Sequence, residues 1–185
     1  VSWRGGKTCT CVIESIEKYV EPRLKAAGVI KYSVDFFQLG YRGDVEASAG
    51  THDRGGVVDV DQDSPTAIRI WREGGWAMWP RVPPAFMYHG HGVLNGCPHL
   101  PSVAADQLAE YRRGGDGLRG NTPDSGPRID LPQWWDAIDD YLRATTPPPA
   151  GGGGAVVPLD PIEELLMTAK PRRIHTDKLV QPAGN

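Results

Sequence analysis

Along the chain, apolar positions form runs whose period switches repeatedly between that of a helix and that of a strand. In CVIESIEKYVEPRLKAAG, Val12, Ile16, Tyr19 or Val20, and Leu24 fall on one helical face. Gly28 suits the end of that helix and Pro22 a kink within it. VIKYSVDFF, residues 29–37, is rich in β-branched and aromatic residues and reads as a strand; GVVDVD, residues 56–61, reads as a second, short one. DSPTAIRIWREGG predicts a helix, with Ser64 as its cap, Pro65 in its first turn and Gly74 at its end. WAMW and AFMYHGH read as two more strands on either side of the loop PRVPP. PSVAADQLAEYRRGG predicts a helix capped by Ser102. DLPQWWDAIDDYLRAT predicts another, with Pro132 near its start, Trp135, Ile138 and Leu142 on one face, and Trp134 and Ala137 beside it. Three or four short strands among helices, not in strict alternation, predict an α+β fold.

The pattern stops near residue 145. TTPPPAGGGGA reads as a linker, stiffened by prolines and then loosened by glycines. The expected organisation is a main domain over residues 1–145, a Pro/Gly-rich linker over 146–155 and a tail over 156–185. The tail has one short helix signal, opened by Asp160 and Pro161. It is too short to form a core alone, so it is expected to dock on the main domain or another chain, or to lead into a longer segment.

Composition narrows the function. A net charge of -3 with no dominant basic patch argues against nucleic-acid binding. No apolar run approaches the ~18 residues of a membrane span. The opening VSWRGGKTCTC lacks an apolar core and does not read as a signal peptide. Three cysteines are too few for a disulfide scaffold, and one must stay unpaired within the chain. Cys9-x-Cys11 and Cys97-x-His99 have the residue types of a structural zinc site, but free thiols or one disulfide is the favoured expectation. His99 is expected to be a loop histidine bonded to backbone, and His175 a solvated one. The tryptophans are expected mostly in the core.

Candidate chemistry lies in two stretches. AGTHDRGGVVDVDQ places His52 seven residues before Asp59, with a glycine pair between them that allows a sharp turn into a strand. On that strand Val57, Asp59 and Asp61 share one face, and Val58 and Val60 the other. FMYHGHGVLNG supplies His89 and His91, which point the same way if the segment is extended. A catalytic zinc takes three ligands from such residues and keeps a position for water. Taken singly, His52 reads more readily as part of a solvated turn, and Asp59 as the polar face of an edge strand; together the two stretches are more specific, since spacing and strand context agree.

THDRGGVVD resembles the His-x2-Gly-x3-Asp core of the S-x-H-x-x-G-x-A-x-D motif of zinc D-Ala-D-Ala carboxypeptidases and L-Ala-D-Glu endopeptidases. HGH at 89–91 is similar to the His-x-His element of the same superfamily, which includes lysostaphin-type peptidases and the hedgehog signalling domain. GYR at 40–42 is similar to the SGYRS stretch of the carboxypeptidases. The layout through CPHLP and the following helix resembles peptidase domains of actinobacteriophage endolysins, over roughly residues 1–145. The resemblance implies a small antiparallel sheet carrying a zinc site and flanked by helices. It implies His52, Asp59 and His91 as zinc ligands, His89 as the catalytic histidine, and Arg42 as the group that holds a substrate carboxylate or the developing oxyanion. From the residues alone, Arg42 reads as readily as a surface arginine paired with Asp44 or Glu46.

Two departures from the family pattern matter. Gly50 and Val57 stand where the motif has Ser and Ala. Tyr88 stands three residues before His91, where several members carry an acidic general base, and no Asp or Glu occurs from Gly74 through Ala105. His89 is then the expected proton handler, with Tyr88 aiding the oxyanion, unless Asp44, Glu46 or Asp61 supplies a carboxylate. The implied function is a zinc peptidase cutting stem peptides or cross-links of bacterial peptidoglycan. It would be a phage lysin released by lysis machinery or a lytic domain on a virion, whose tail could contact other virion proteins. The competing readings are a zinc-bearing wall-binding module without turnover, and a metal-dependent nuclease.

Overall fold

The computed structural model describes residues 1–147 except 45, 119 and 121, and the side chain of residue 47 is left aside. The expected tail, and the linker from residue 148 onward, lie outside the described residues, as does His175. Residues 1–146 pack as one unit. The chain opens with a hairpin of β1 (Ser2–Trp3) and β2 (Gly6–Lys7). Its two turn residues, Arg4 and Gly5, both have positive φ, as a tight hairpin turn requires.

The first predicted helix is continuous from Thr10 to Ala26 but not uniform. It comprises α1 (Thr10–Ser15), a π-helical segment Ile16–Val20, and α2 (Glu21–Ala26). Pro22 has no N–H to give the carbonyl four residues back, and the ladder widens just before it. The expected kink is therefore a π turn. Val12, Ile16, Val20 and Leu24 are fully buried along its inner face.

Four antiparallel strands form the main sheet, in the order β3 (Phe36–Gln38), β4 (Val57–Val60), β6 (His89–Leu94), β5 (Trp76–Arg81). The α+β expectation holds. Two strands are displaced from their sequence reading. The expected strand over 29–37 pairs only from Phe36, and the one over 85–91 begins at His89 and runs on to Leu94. Pro83 and Pro84 precede it, and the chain turns there, with Phe86 N–H bonded to Val82 O at 3.2 Å.

Each sheet face has its own cover. On one face Val58, Val60, Trp76, Met78 and Leu94 pack against the N-terminal helices, α3 (Pro65–Glu73) and α5 (Trp134–Thr145). Gly92 lies there because a Cβ would come 2.8 Å from the Met78 methyl. On the other face Val57, Ala77, Trp79 and Val93 pack against Ala104, Leu108 and Tyr111 of α4 (Ser102–Arg113). Pro101, not Ser102, occupies the cap position of α4. Burying both faces stabilises the sheet by roughly 25 cal/mol per Å² of apolar surface removed from water. That fixes the register, because a one-residue slip would turn every buried valine to the wrong side. No helix among the described residues is long and apolar enough to cross a membrane.

Candidate metal centre

The face covered by α4 continues beyond its apolar patch into a polar one. In the ladders, Asp59 is opposite His91, Trp79 is opposite His91 on the other side, and Arg81 is opposite His89. Residues opposite one another in an antiparallel pair share a face, so register alone brings Asp59, His89, His91 and Arg81 together. His52 joins them from the preceding turn. That turn is held by hydrogen bonds from Arg42 N–H to His52 O (2.8 Å) and from Tyr41 N–H to Arg54 O (3.0 Å). Gly56, at φ +80°, redirects the chain into β4.

Asp59 Oδ1 lies 2.7 Å from His91 Nδ1, and Asp59 Oδ2 lies 3.3 Å from His52 Nε2. One ligand atom from each of His52, Asp59 and His91 can be chosen so that all lie within 4.8 Å of one another. The three residues are thus a possible metal-binding group. The structure brings together the trio named from sequence.

The outer partners fix which ring nitrogens carry protons. His52 Nδ1 is 3.2 Å from Leu39 O, a carbonyl that can only accept, so Nδ1 carries the proton. His52 Nε2 is then a bare lone pair; it is buried, and although near Asp59 it is out of line for a hydrogen bond and has no partner. Gln107 Nε2 donates to Gly117 O at 3.0 Å, which orients the amide and turns Oε1 toward His91 Nε2, also at 3.0 Å. His91 Nε2 must therefore be the donor, and a neutral His91 presents the lone pair of Nδ1 to the Asp59 carboxylate. Burial pushes the His91 imidazole below its ordinary value, with Asp59 opposing, which favours that neutral form. Burial pushes the Asp59 carboxyl up; protons on the two imidazoles beside it would hold it well below the usual carboxylate range, and in these tautomers a cation has to take their part. Two nitrogen lone pairs and a carboxylate thus converge on one place, an arrangement that is repulsive without a cation and suited to one with it.

His89 is next to the group. Its Nδ1 is 2.8 Å from Met87 O and so carries the proton, leaving Nε2 as the basic nitrogen, 3.8 Å from Asp59 Oδ1. Phe37, Gln38, Asp59, Met87, Tyr88 and His89 line a cleft of about 200 Å³. Phe37, Met87 and Tyr88 are exposed on it. Arg42 is elsewhere: its guanidinium forks onto Asp44, at 2.8 and 3.1 Å, and lines a separate cleft with Ser2–Lys7. Asp44, Glu46 and Asp61 are exposed and do not line the cleft that holds Asp59.

Two contributors escape a sequence reading. Gln107 lies on α4, in a helix whose pattern signals only packing. Arg81 is buried, with Nη1 donating to Asp116 O at 2.8 Å and Nη2 without a partner. Burial brings its pKa down to about 10, opposed by Asp116 and Asp59. A buried arginine in WAMWPR has a visible signal in alternation: it follows Ala77 and Trp79 on the inward face.

The cysteines depart from expectation in a different way. All three are unpaired, as one expectation had it, but they are buried in one cluster with His99. His99 faces sulfur atoms, not backbone.

Compared with family models, curated proteins and solved structures, the chain matches none.

Proposed function

We propose that this chain is a zinc-dependent peptidase acting on an amide bond of bacterial peptidoglycan stem peptides or cross-links. The observation that supports it best is the convergence of His52 Nε2, His91 Nδ1 and the Asp59 carboxylate, with the other nitrogen of each imidazole tied to an acceptor. A zinc ion held there would act as a Lewis acid, activating water and polarising the amide carbonyl.

The chain's own residues then divide the remaining work. Leu39 O and Gln107 hold the two imidazoles in the tautomers that offer lone pairs. His89, its Nδ1 proton tied to Met87 O, uses Nε2 to take a proton from the attacking water and return it to the leaving amine. Tyr88, exposed on the cleft, has a hydroxyl free to donate to the carbonyl oxygen as charge builds there. Phe37 and Met87 offer apolar contacts for small peptide side chains. Arg81 is the buried cation on the same sheet face, and Arg42 the exposed one outside it. The wall setting follows from the family resemblance: a phage lysin released at lysis, or a lytic domain carried on a virion.

One observation favours a second reading, a zinc-bearing module that binds wall peptides without cutting them. Tyr88 stands where several peptidases of the family the chain resembles carry an acidic base, and none of Asp44, Glu46 or Asp61 lines the cleft. Digestion of purified cell walls, with new termini identified by mass spectrometry, separates the two. The peptidase reading expects new peptide termini that disappear with a chelator and return with zinc. Binding to walls without new termini would overturn it in favour of the binding module.

A further inference from the structure

Cys9, Cys11, Cys97 and His99 are not used by the centre described above. Cys9 caps α1 and Cys11 lies in its first turn; Cys97 and His99 occupy the turn that follows β6. Two pairs, each with a single intervening residue and 88 positions apart, are brought together only by the tertiary fold. Cys9 Sγ lies 3.5 Å from Cys97 Sγ, Cys11 Sγ 3.6 Å from His99 Nδ1, and Cys97 Sγ 3.8 Å from the same nitrogen. All four ligand atoms lie within 4.8 Å of one another. A zinc ion with Zn–S of about 2.3 Å and Zn–N of about 2.0 Å spaces its tetrahedral ligand atoms about 3.5–3.8 Å apart. Three of the six separations match the edges of such a tetrahedron, and the other three are no longer than 4.8 Å.

Packing around the cluster supports the same conclusion. The three cysteines are almost fully buried, at 5%, 7% and 5% exposure. Three thiols hydrogen-bond only weakly to one another, so little else in that arrangement rewards bringing them to a point. The backbone of Gly55 and Gly56 lies directly on the group. A Cβ on Gly55 would come 2.9 Å from Cys9 Sγ and 3.0 Å from the His99 Cβ, and one on Gly56 would come 2.9 Å from Cys97 Sγ. These glycines are the hinge between His52 and Asp59.

We propose that Cys9, Cys11, Cys97 and His99 form a closed Cys3His structural zinc site. It ties the N-terminal helix to the turn after β6 and forms the floor on which the His52–Asp59 turn rests. With four protein ligands it leaves no position for water, and its role is to hold structure. The proposal stands independently of any activity at the His52 centre.

The test uses the full chain, purified with reductant, stripped of metal and reloaded with cobalt or zinc. Cobalt-loaded wild type should show a strong thiolate-to-cobalt charge-transfer band in the near ultraviolet. Asp59→Ala should keep that band, because the carboxylate centre has no sulfur. Zinc-loaded wild type should hold about one equivalent that survives Asp59→Ala and is released by a mercurial thiol reagent. His99→Ala, which leaves all three thiolates, should shift the band and weaken retention at least tenfold. Absence of the charge-transfer band from wild type would overturn the proposal, as would a disulfide between two of the cysteines in protein purified without reductant. These readouts need no cysteine variant to fold.

Discussion

Asp59 and His91 face each other across the β4–β6 ladder with an acceptor oxygen 2.7 Å from a ring nitrogen that, in the neutral tautomer set by Gln107, is also an acceptor. A cation between them turns this repulsion into attraction. Asp59→Asn separates the two effects, since its amide can donate to His91 Nδ1 without binding metal strongly. The expected outcome is a metal-stripped variant at least as stable as stripped wild type, with zinc affinity lowered by about 100-fold or more. At zinc concentrations 100 times the wild-type Kd of this centre, wild type should gain about 2.7 kcal/mol from it and the variant almost none, while any gain from zinc at the cysteine cluster is common to both proteins. Thermal melts with and without zinc check both halves.

Gln107 acts through His91. Gln107→Met keeps the volume but removes the acceptor, leaving His91 Nε2–H buried and unpaired at a cost of about 1–3 kcal/mol. Zinc affinity should fall about 10- to 100-fold, as is usual when the group orienting a histidine ligand is lost. Gln107→Glu, which restores an acceptor, should recover most of that affinity. Calorimetric titration of zinc into the three proteins decides it, and equal affinities would remove Gln107 from the centre.

His89 is expected to handle protons and not to hold metal. His89→Ala should bind zinc within about threefold of wild type, while turnover of cell-wall peptides falls about 100- to 10,000-fold. His89→Gln should be equally inactive, since it keeps the polarity but lacks the basic nitrogen. A rate near that of wild type in either variant would move the base elsewhere.

The chemistry of this site was more legible than its support, for a physical reason. Asp59, His89 and His91 stand in short segments where alternation along β4 and β6 already implies a shared face, and the glycine-rich turn before β4 brings His52 to the same place. Gln107 could not be read because a helix pattern reports which face is buried, not which strand atom lies under it. The expected strand over 29–37 shrank to Phe36–Gln38 because β-branched residues favour extended chain, but pairing requires a partner in register, and β4 offers only four residues. The cysteine pairs illustrate the same limit. Whether Cys9 meets Cys97 is decided by how α1 packs across the sheet, and that is a property of the whole core.

Arg42 and Arg81 make opposite claims on a substrate carboxylate. Arg42 is exposed and already paired with exposed Asp44, an interaction worth little in water. Arg81 is buried on the face that holds His89, and one of its terminal nitrogens has no partner. Arg42→Ala should change kcat/KM by less than about threefold, whereas Arg81→Lys, which keeps charge but loses the planar fork, should raise KM about tenfold or more. Steady-state kinetics on a stem peptide and on its carboxyl-amidated form tests this. If Arg81 holds the carboxylate, amidation should cost wild type heavily and Arg81→Lys little.

Glu21 offers a stability test remote from both metal-binding groups. Its carboxylate is almost fully buried; it accepts hydrogen bonds from Val34 N–H at 2.7 Å and from both terminal nitrogens of Arg4. Burial pushes the carboxyl up, but the Arg4 and Val34 bonds outweigh it, and the folded-state value lies below the ordinary one. A depressed carboxylate binds its proton more weakly in the folded chain than in the unfolded chain. Its stabilisation is therefore fully present above the unfolded value near ~4.3, and it is lost as pH falls through the lower, folded value. Glu21→Gln keeps the shape but loses the charge, and should be less stable than wild type at pH ~7 by about 1.5–3 kcal/mol, the usual range for hydrogen bonds to a charged group. The gap should begin to close as the pH falls below ~4.3, where the unfolded chain takes up its proton first, and should vanish below the lower, folded value, where folded wild type also carries a neutral carboxyl. Denaturant melts of both proteins across that range test the sign: a gap that widens in acid would mean that burial, and not Arg4, governs Glu21.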